Sequence, residues 1–346
     1  MNEALAQPFT SEEITIALKQ MHPLKSLGPN GMSPIFYQQY WSIVGPEVNC
    51  LILDFLNHGT FNPLFNYTHI VLIPKIPNPS NMSHFRPISL CNVIYKLASK
   101  VLANRVKPFL GVLISESQSA FVPGRLIMDN VLLAYKINHF LKHKTWGRTG
   151  HASIKLDVSK AYDRVEWVFL ERVLGRLGFN EGFVHLVMKC VSTVSFSFLL
   201  NGEQFGFLSP ERGLRQGDPL SPYLFLFCAE AFGGLIRKAE CEGTIVGVAV
   251  SRTAPSVSHL LFADDMLIFC QATAEALSRL QLLLTSFEAA LGLKINKEKS
   301  AMVFSRNVET GHRATLATTL GVTVVPKHER YLGLPTVAGR SKKELL

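Results

Sequence analysis

Two aspartates, Asp264-Asp265, stand between the apolar runs HLLFA (259–263) and MLIFC (266–270), with no polar residue immediately on either side. Pointing into water, such a pair is a solvated hairpin tip. Asp-Asp is nevertheless a poor two-residue turn, because a type I′ turn asks for positive φ at both positions and usually for a glycine. Flanking runs this apolar predict a deeply buried hairpin. Two buried adjacent carboxylates repel strongly unless a cation neutralises them. The pair therefore points to metal ligation. A further carboxylate, Asp157 in KLDVSKAYD (155–163), sits where a strand gives way to a helix, a frequent place for ligand chemistry. Its competing role is a helix N-cap. Asp163, one turn on beside Arg164, fits a structural role inside the predicted helix.

The elements that must position these residues follow from the pattern. IKLDV (154–158) alternates into a strand, and a helix is predicted over 160–177. Asn201-Gly202 between 195–200 and 203–208 is a strong hairpin signal. A buried helix over 219–240, strands at 259–263 and 266–270, a helix over 274–291 and a strand at 301–305 follow. Earlier, Thr10-Ser-Glu-Glu13 is a capping box for a helix reaching Met21. The loop LKSLGPNGMS (24–33) precedes an aromatic-rich helix. YTHIVLIP (67–74) is a strand, IPNPSNMSHFRP a loop, and helices are expected near 92–109 and 125–143. This β-α-β-β-α-β-β-α-β order fits an antiparallel sheet backed by helices.

The 346 residues suit about two domains or one large one, and the lack of repeats or linkers favours a continuous unit. At 47% hydrophobic residues the chain is not disordered. Its most apolar stretch, Tyr223 to Ile236, is interrupted by Glu230 and falls short of the ~20 residues of a membrane span. The start, MNEALAQPFT, has no secretory signal pattern. The net charge of +9 is uneven: residues 61–150 carry 11 basic against 2 acidic residues, whereas 151–270 carry 11 against 13. A basic block suits a polyanion, although a solvated basic surface would look the same. The six cysteines form no CxxC pair, which argues against disulfides or zinc and for a reducing, intracellular compartment. His139 and His143, in HFLKH, have metal-ligand spacing, but Lys142 and Lys144 would repel a cation, so they are expected at the surface.

A series of blocks then occurs in order: KSLGPNG, IPKIPNP, FRPISLCNVIYKLASKVLANR, ISESQSAFVPGRLIMDN, KLDVSKAYDRVEW, ERGLRQGDPLSPYLF, LLFADDMLIF, GLKINKEKS and YLGLP. In these the chain resembles the reverse transcriptase domain of plant LINE-type non-LTR retrotransposons over nearly its whole length. Leu27 and Asn30 depart from that family's usual PGPDG; Asn suits the same turn as Asp but loses the charge. The resemblance implies an α+β right-hand fold of fingers and palm, with an antiparallel palm sheet backed by helices. Residues 1–56 would extend the fingers, 57–338 form the fingers-palm domain, and 339–346 begin a connection to an absent thumb. No endonuclease precedes these blocks and the thumb is expected to be missing, so a fragment that folds and at most binds nucleic acid is the competing expectation.

By the same resemblance, Asp157, Asp264 and Asp265 form a catalytic triad binding two Mg²⁺ ions, for which Mn²⁺ may substitute, with the Val158 carbonyl as a further ligand. Lys75 and Arg86 match residues gripping the triphosphate. Tyr162 matches the residue under the incoming sugar, against the plainer role of a core tyrosine. Gln216 matches a nucleotide contact, with Gly217 allowing close approach and Asp218 capping the next helix. Lys299, or alternatively Lys297, matches the lysine that protonates pyrophosphate. Tyr331, Leu332 and Gly333 match the primer grip. The implied partners are an RNA template, a DNA primer and dNTPs, with no membrane. The family's habits imply the nucleus or a cytoplasmic ribonucleoprotein. The basic block, including Lys75, Arg86, Lys96, Lys100, Arg105 and Arg125, is expected to line the template and triphosphate side.

Overall fold

The computed structural model describes residues 1–60 and 62–336, so the expected segment 339–346 lies outside the described residues. The strands are β1 (Tyr67–Pro74), β2 (Phe85–Cys91), β3 (His151–Leu156), β4 (Ser195–Leu200), β5 (Glu203–Leu208), β6 (His259–Phe262), β7 (Asp265–Gln271), β8 (Ala301–Phe304), β9 (Thr323–Val324), β10 (Arg330–Tyr331) and β11 (Leu334–Pro335). Instead of one continuous unit, the chain forms two compact units interleaved along the sequence. The first is Met1–Leu110 with Tyr162–Phe225; the second is Gly111–Ala161 with the residues from Leu226 on.

The first unit carries a mixed sheet in the order β2-β1-β4-β5, antiparallel except for the parallel β1–β4 pair. Asn201 and Gly202 both adopt positive φ between β4 and β5, as a type I′ turn requires. The capping box forms as expected: Thr10 accepts from the Glu13 N–H, Glu13 reaches back, and the helix runs over Ser11–Lys19. The helix expected over 92–109 covers Val93–Val106 and passes into a 3₁₀ turn at Lys107–Phe109, where Pro108 lacks the N–H a continuing helix needs. The loop KSLGPNG packs against the start of this helix. A Cβ on Gly28 would lie 2.5 Å from the Asn92 Cα, and the Asn30 side chain accepts from the Met32 N–H at 3.2 Å. Asn30 thus closes the turn that an Asp would close.

The helix predicted over 160–177 is a correction. Only Trp167–Arg176 is α-helical; Tyr162–Arg164 is a 3₁₀ turn that contains Asp163, and Lys160 has a positive φ of 48°. The carbonyls that a helix would use are taken by a distant loop: Leu214 N–H donates to Tyr162 O at 2.7 Å and Gly213 N–H to Val165 O at 2.8 Å.

The second unit is built on a five-stranded sheet, β6-β7-β3-β8-β9, with β3 central and antiparallel to both neighbours. β7 is buried from Met266 to Cys270 without alternation, as a strand covered on both faces must be. Leu260, Leu267 and Phe269 pack with Ala134, Ile137 and Leu141 of the Ile127–His143 helix and with Tyr331. The apolar stretch around Tyr223 to Ile236 belongs to the helix Ser221–Cys241, and Phe232 stacks on Phe287 of the Ala274–Leu291 helix at 4.7 Å. Glu230, which interrupts that stretch, accepts from the Ser115 N–H and hydroxyl and pairs with Arg237. No described helix is long and apolar enough to cross a membrane.

Three histidines of this unit, His151, His259 and His328, are held neutral by burial, each pushed down to about 4. The unfolded chain binds these protons near pH 6.5, so between pH 6.5 and 4 it takes up more protons than the folded chain. Stability is therefore lost as pH falls through that window, by about 2 kcal/mol at pH 5 for each of His259 and His328 and by less for the partly exposed His151. Thermal unfolding at pH 7.5 and pH 5 is expected to show a lower midpoint at pH 5. Equal midpoints would contradict the neutral burial.

Candidate active site

β3 and β7 bring the aspartates together. Their register pairs Leu156 with Met266, and one further step sets Asp157 across from Asp265. On its other side Asp265 pairs with Phe262 of β6. The two-residue turn is therefore Ala263-Asp264, one position earlier than Asp264-Asp265. Ala263 takes a positive φ of 53°, where a type II′ turn ordinarily has glycine. Gln118, fully buried, holds it there: its carboxamide oxygen accepts from the N–H groups of Ala263 and Ala120, both at 3.0 Å. Sequence reasoning missed Gln118; its signal was only its place in the SESQSAF block.

The hairpin end is also less buried than expected: Asp264 is exposed, and Asp157 and Asp265 are half-buried. Charge crowding falls on Asp265. Burial pushes its carboxyl above the usual range, the charges of Asp264 and Asp157 push the same way, and Lys155 opposes them. Among the described residues no three His, Cys, Asp or Glu side chains converge on a point that could hold a metal ion. Mg²⁺, however, usually takes only one or two carboxylates and completes its octahedron with water and substrate phosphates. Hard oxygen donors carrying mutual repulsion fit such an ion in donor chemistry.

Behind Asp157, the 157–159 segment is tied to 294–296. Asn296 N–H donates to Asp157 O and Ser159 N–H to Lys294 O, both at 2.8 Å. These bonds flank the Val158–Ile295 bridge, so it does not use the Val158 carbonyl. Ser300, another residue the sequence did not single out, accepts from the Asp157 N–H at 3.1 Å and donates to Asn296 O. Lys299 immediately precedes it, with its own N–H donating to the Asn296 side chain. Lys297 lies elsewhere, its Nζ 3.2 Å from where a Cβ on Gly321 would stand. The β10–β11 hairpin turns at Leu332-Gly333, both at positive φ, and is linked to β3 by Lys155 Nζ donating to Arg330 O at 2.9 Å. The Tyr331 ring is buried in the core, which leaves the loop backbone as the part open to a ligand.

The residues that the resemblance matches to nucleotide contacts belong to the first unit. Arg86 on β2 pairs with Ile73 on β1; Lys75 follows β1, its N–H donating to His84 O and its Nζ to Ser83 O. Gln216 docks on the same strand: its carbonyl accepts from the Ser89 N–H at 2.8 Å. Lys75, Arg86 and Gln216 thus share the β1–β2 region. Tyr162 is half-buried, with its ring stacked on Phe225 at 5.0 Å and its carbonyl bonded to Leu214. The chain passes from the second unit to the first at Ala161–Tyr162, just after Asp157.

The sequence profile described as Reverse transcriptase (RNA-dependent DNA polymerase) matches residues 73–336. The chain belongs to the reverse transcriptase family. It is 31% identical over 301 residues to the transposon TX1 uncharacterized 149 kDa protein of Xenopus laevis, covering 86% of this chain and 22% of that protein. It is 30% identical over 278 residues to the Pol polyprotein of the type-2 retrotransposable element R2DM of Drosophila melanogaster, covering 79% and 24%. An uncharacterized mitochondrial protein of Arabidopsis thaliana is 54% identical over 68 residues, 20% of this chain and 56% of that one. The chain spans about a quarter of the length of these two transposon proteins. Telomerase from Candida tropicalis, solved with a fragment of telomeric RNA, superposes with a TM-score of 0.51 at 12% identity, covering 69% of this chain and 41% of that one. That likeness bears on the fold alone, and agrees with the α+β fingers-and-palm class.

The basic block of this reverse transcriptase chain needs a correction. Three of its six named residues are spent inside the fold. Lys96 is fully buried and donates to Ser26 O at 2.7 Å. Arg105 pairs with Glu13 at 2.6 Å, and Arg125 donates to the carbonyls of Ile114, Ser115 and Gln118. Arg86 stays exposed, as does Lys75, whose ammonium reaches only a neighbouring carbonyl.

Gly217 is the backbone position on which Gln216 depends. Its φ is +115°, and a Cβ there would stand 3.1 Å from Ser89 O. Gly217→Ala in this reverse transcriptase is expected to lower stability by about 1–3 kcal/mol in chemical denaturation. Gly175→Ala, inside the Trp167–Arg176 helix with nothing within 4 Å, serves as the opposite control. It should stabilise by about 0.5–1 kcal/mol.

Proposed function

We propose that the chain is the RNA-directed DNA polymerase core of a non-LTR retrotransposon of plant LINE type, extending a DNA primer annealed to an RNA template with dNTPs. The observation that carries this reading is the meeting of Asp157, Asp264 and Asp265 at the end of the β3–β7 pair, with the like-charge strain on Asp265. Two Mg²⁺ ions, or Mn²⁺ in their place, would supply a lowered pKa at the primer 3′-hydroxyl and charge stabilisation at the leaving pyrophosphate. Asp157 and Asp264 would hold these ions, with the Val158 carbonyl as a further ligand and Asp265 in a more peripheral role. Lys75 and the Arg86 guanidinium grip the triphosphate, to which a planar fork of donors is well matched. Gln216 contacts the incoming nucleotide, and the Tyr162 ring, backed by Phe225, would clash with a 2′-hydroxyl.

Lys299 donates a proton to the departing pyrophosphate, a role supported by its place beside Ser300 and by the turning of Lys297 toward Gly321. The Leu332-Gly333 backbone steadies the primer end, with Tyr331 as its core anchor. The work belongs to an intracellular compartment, either the nucleus or a cytoplasmic ribonucleoprotein.

Steady-state extension of a primed RNA template tests these roles. EDTA is expected to abolish incorporation and Mg²⁺ to restore it. Arg86→Ala is expected to raise the KM for dNTP about tenfold or more, from the loss of a charge-assisted contact. Incorporation that persists in EDTA, or an unchanged KM, would overturn the assignment.

A further inference from the structure

HFLKH, left aside as surface, lines a cavity. On the second unit, Tyr135, Lys136, His139, Phe140, Lys144 and Trp146 border an open hollow of about 560 Å³. Its walls are ring faces at helical spacing: Tyr135 stacks on His139, whose ring centroid lies 4.2 Å from that of His143. Trp146 is 68% exposed, yet its loop is clamped. The Asn307 side chain donates to the carbonyls of Trp146, Gly147 and Thr149, its N–H donates to Lys144 O, and its own oxygen accepts from Ser305. A large ring is thus held out to solvent on a rigid loop, and binding to it forfeits little conformational entropy.

The charge around this hollow has one sign. Residues 130–148 include four Lys or Arg and no Asp or Glu, and 243–263, which meets the hollow at Val250, adds Arg252 and no acid. Lys144 is 9% exposed, with Nζ 3.1 Å from the His151 ring nitrogen and between the Phe140 and Trp146 rings at 5.6 and 5.5 Å. Its partners are rings, where a buried ammonium ordinarily has a carboxylate. A cationic ligand is repelled from such a site, and an anion is drawn in.

We infer that this hollow binds single-stranded nucleic acid, with unpaired bases stacking on Trp146 and His139 and phosphates meeting Lys136 and Lys144. Aromatic faces interleaved with basic groups suit a single strand, since every base offers a π-face and the backbone follows the charge. A duplex keeps its base faces stacked and out of reach. The site is separate from the aspartates. It adjoins His151 at the start of β3, whereas Asp157 follows the end of that strand, roughly 20 Å away along six residues. Its occupant is therefore a different stretch of nucleic acid from the nucleotide proposed at Asp157, and the inference does not depend on polymerase activity.

Photo-crosslinking of the unaltered chain to a 12-nucleotide single-stranded RNA carrying 4-thiouridine tests it, with peptide mapping of the adducts. Adducts are expected on the peptide spanning 133–148, competed by unlabelled single strand and not by duplex or by a mononucleotide. Trp146→Ala and Lys136→Ala, both side chains on the surface, should each weaken this adduct's concentration dependence, Trp146→Ala by about tenfold. Circular dichroism confirms that both variants fold. Adducts confined to other peptides would overturn this inference and leave the polymerase reading standing. No adducts anywhere would also overturn it, and the polymerase reading, which concerns a primed template, would still stand. Equal competition by duplex or mononucleotide, or no effect of either substitution, would also overturn it.

Discussion

Asp264→Asn is expected to cut deoxynucleotide incorporation by about a thousandfold, the worth of several kcal/mol of transition-state charge stabilisation. The fold should survive the change. Asp264 is exposed in a turn held by Gln118 through the Ala263 N–H, a bond that does not involve the carboxylate. Removing its charge also relieves the repulsion that pushes the Asp265 carboxyl up. The unfolding midpoint is therefore expected to stay level or rise slightly while activity collapses, a separation that a merely structural aspartate would not give. Single-turnover incorporation with a matched denaturation curve is the measurement. Activity within tenfold of the parent would remove Asp264 from the chemistry.

Asp218→Ala is expected to act in the opposite way, through stability, at a cost of about 3–5 kcal/mol. Asp218 and Arg215 are a buried ion pair at 3.1 Å, with side chains 5% and 4% exposed. Asp218 also accepts from the Tyr95 hydroxyl at 2.6 Å and, as the expected cap, from the Leu220 N–H at 2.9 Å. Arg215 lies over the Tyr95 ring at 3.9 Å and donates to Asn66 and to Cys190 O. Deleting Asp218 strands a guanidinium and a hydroxyl in an apolar setting. Replacing both charges, as Arg215→Met with Asp218→Leu, should recover much of the loss, because a buried pair adds little over well-packed apolar groups. Gln216 sits between the two charges in sequence, so Asp218→Ala is also expected to raise the KM for dNTP in whatever chain remains folded. Denaturant unfolding of the single and double variants decides it; a single variant within 1 kcal/mol of the parent would contradict the network.

What was legible in the sequence is what short-range pattern encodes. The apolar runs of β6 and β7, the Asn201-Gly202 turn and the Thr10–Glu13 capping box follow from local composition and spacing, whereas the meeting of Asp157 with the aspartate pair is implied by the family resemblance. The departures each have a distant partner. The hairpin turns at Ala263-Asp264 and not at Asp264-Asp265 because Gln118, 145 residues away, accepts from the Ala263 N–H. The helix expected from residue 160 fails because Gly213 and Leu214 take its carbonyls. Lys96 and Arg105 are spent on Ser26 and Glu13, 70 and 92 residues off, so a basic block that looked free for a polyanion is partly internal. Charge counted along a chain says nothing of which cations the fold consumes. Around Trp146, HFLKH shows that His139 and His143 lie at the surface, but the loop that sets Trp146 beside them depends on Asn307, 161 residues away.

Templated DNA synthesis is read out by single-nucleotide incorporation. A DNA primer is annealed to four RNA templates that differ only at the first unpaired base, and each is offered all four labelled dNTPs with Mg²⁺. The added nucleotide is expected to change with the template base and always to be its complement, and Asp264→Asn to abolish the addition on all four. Addition of the same nucleotide whatever the template, or no addition by a folded chain that binds the primed template, would contradict it.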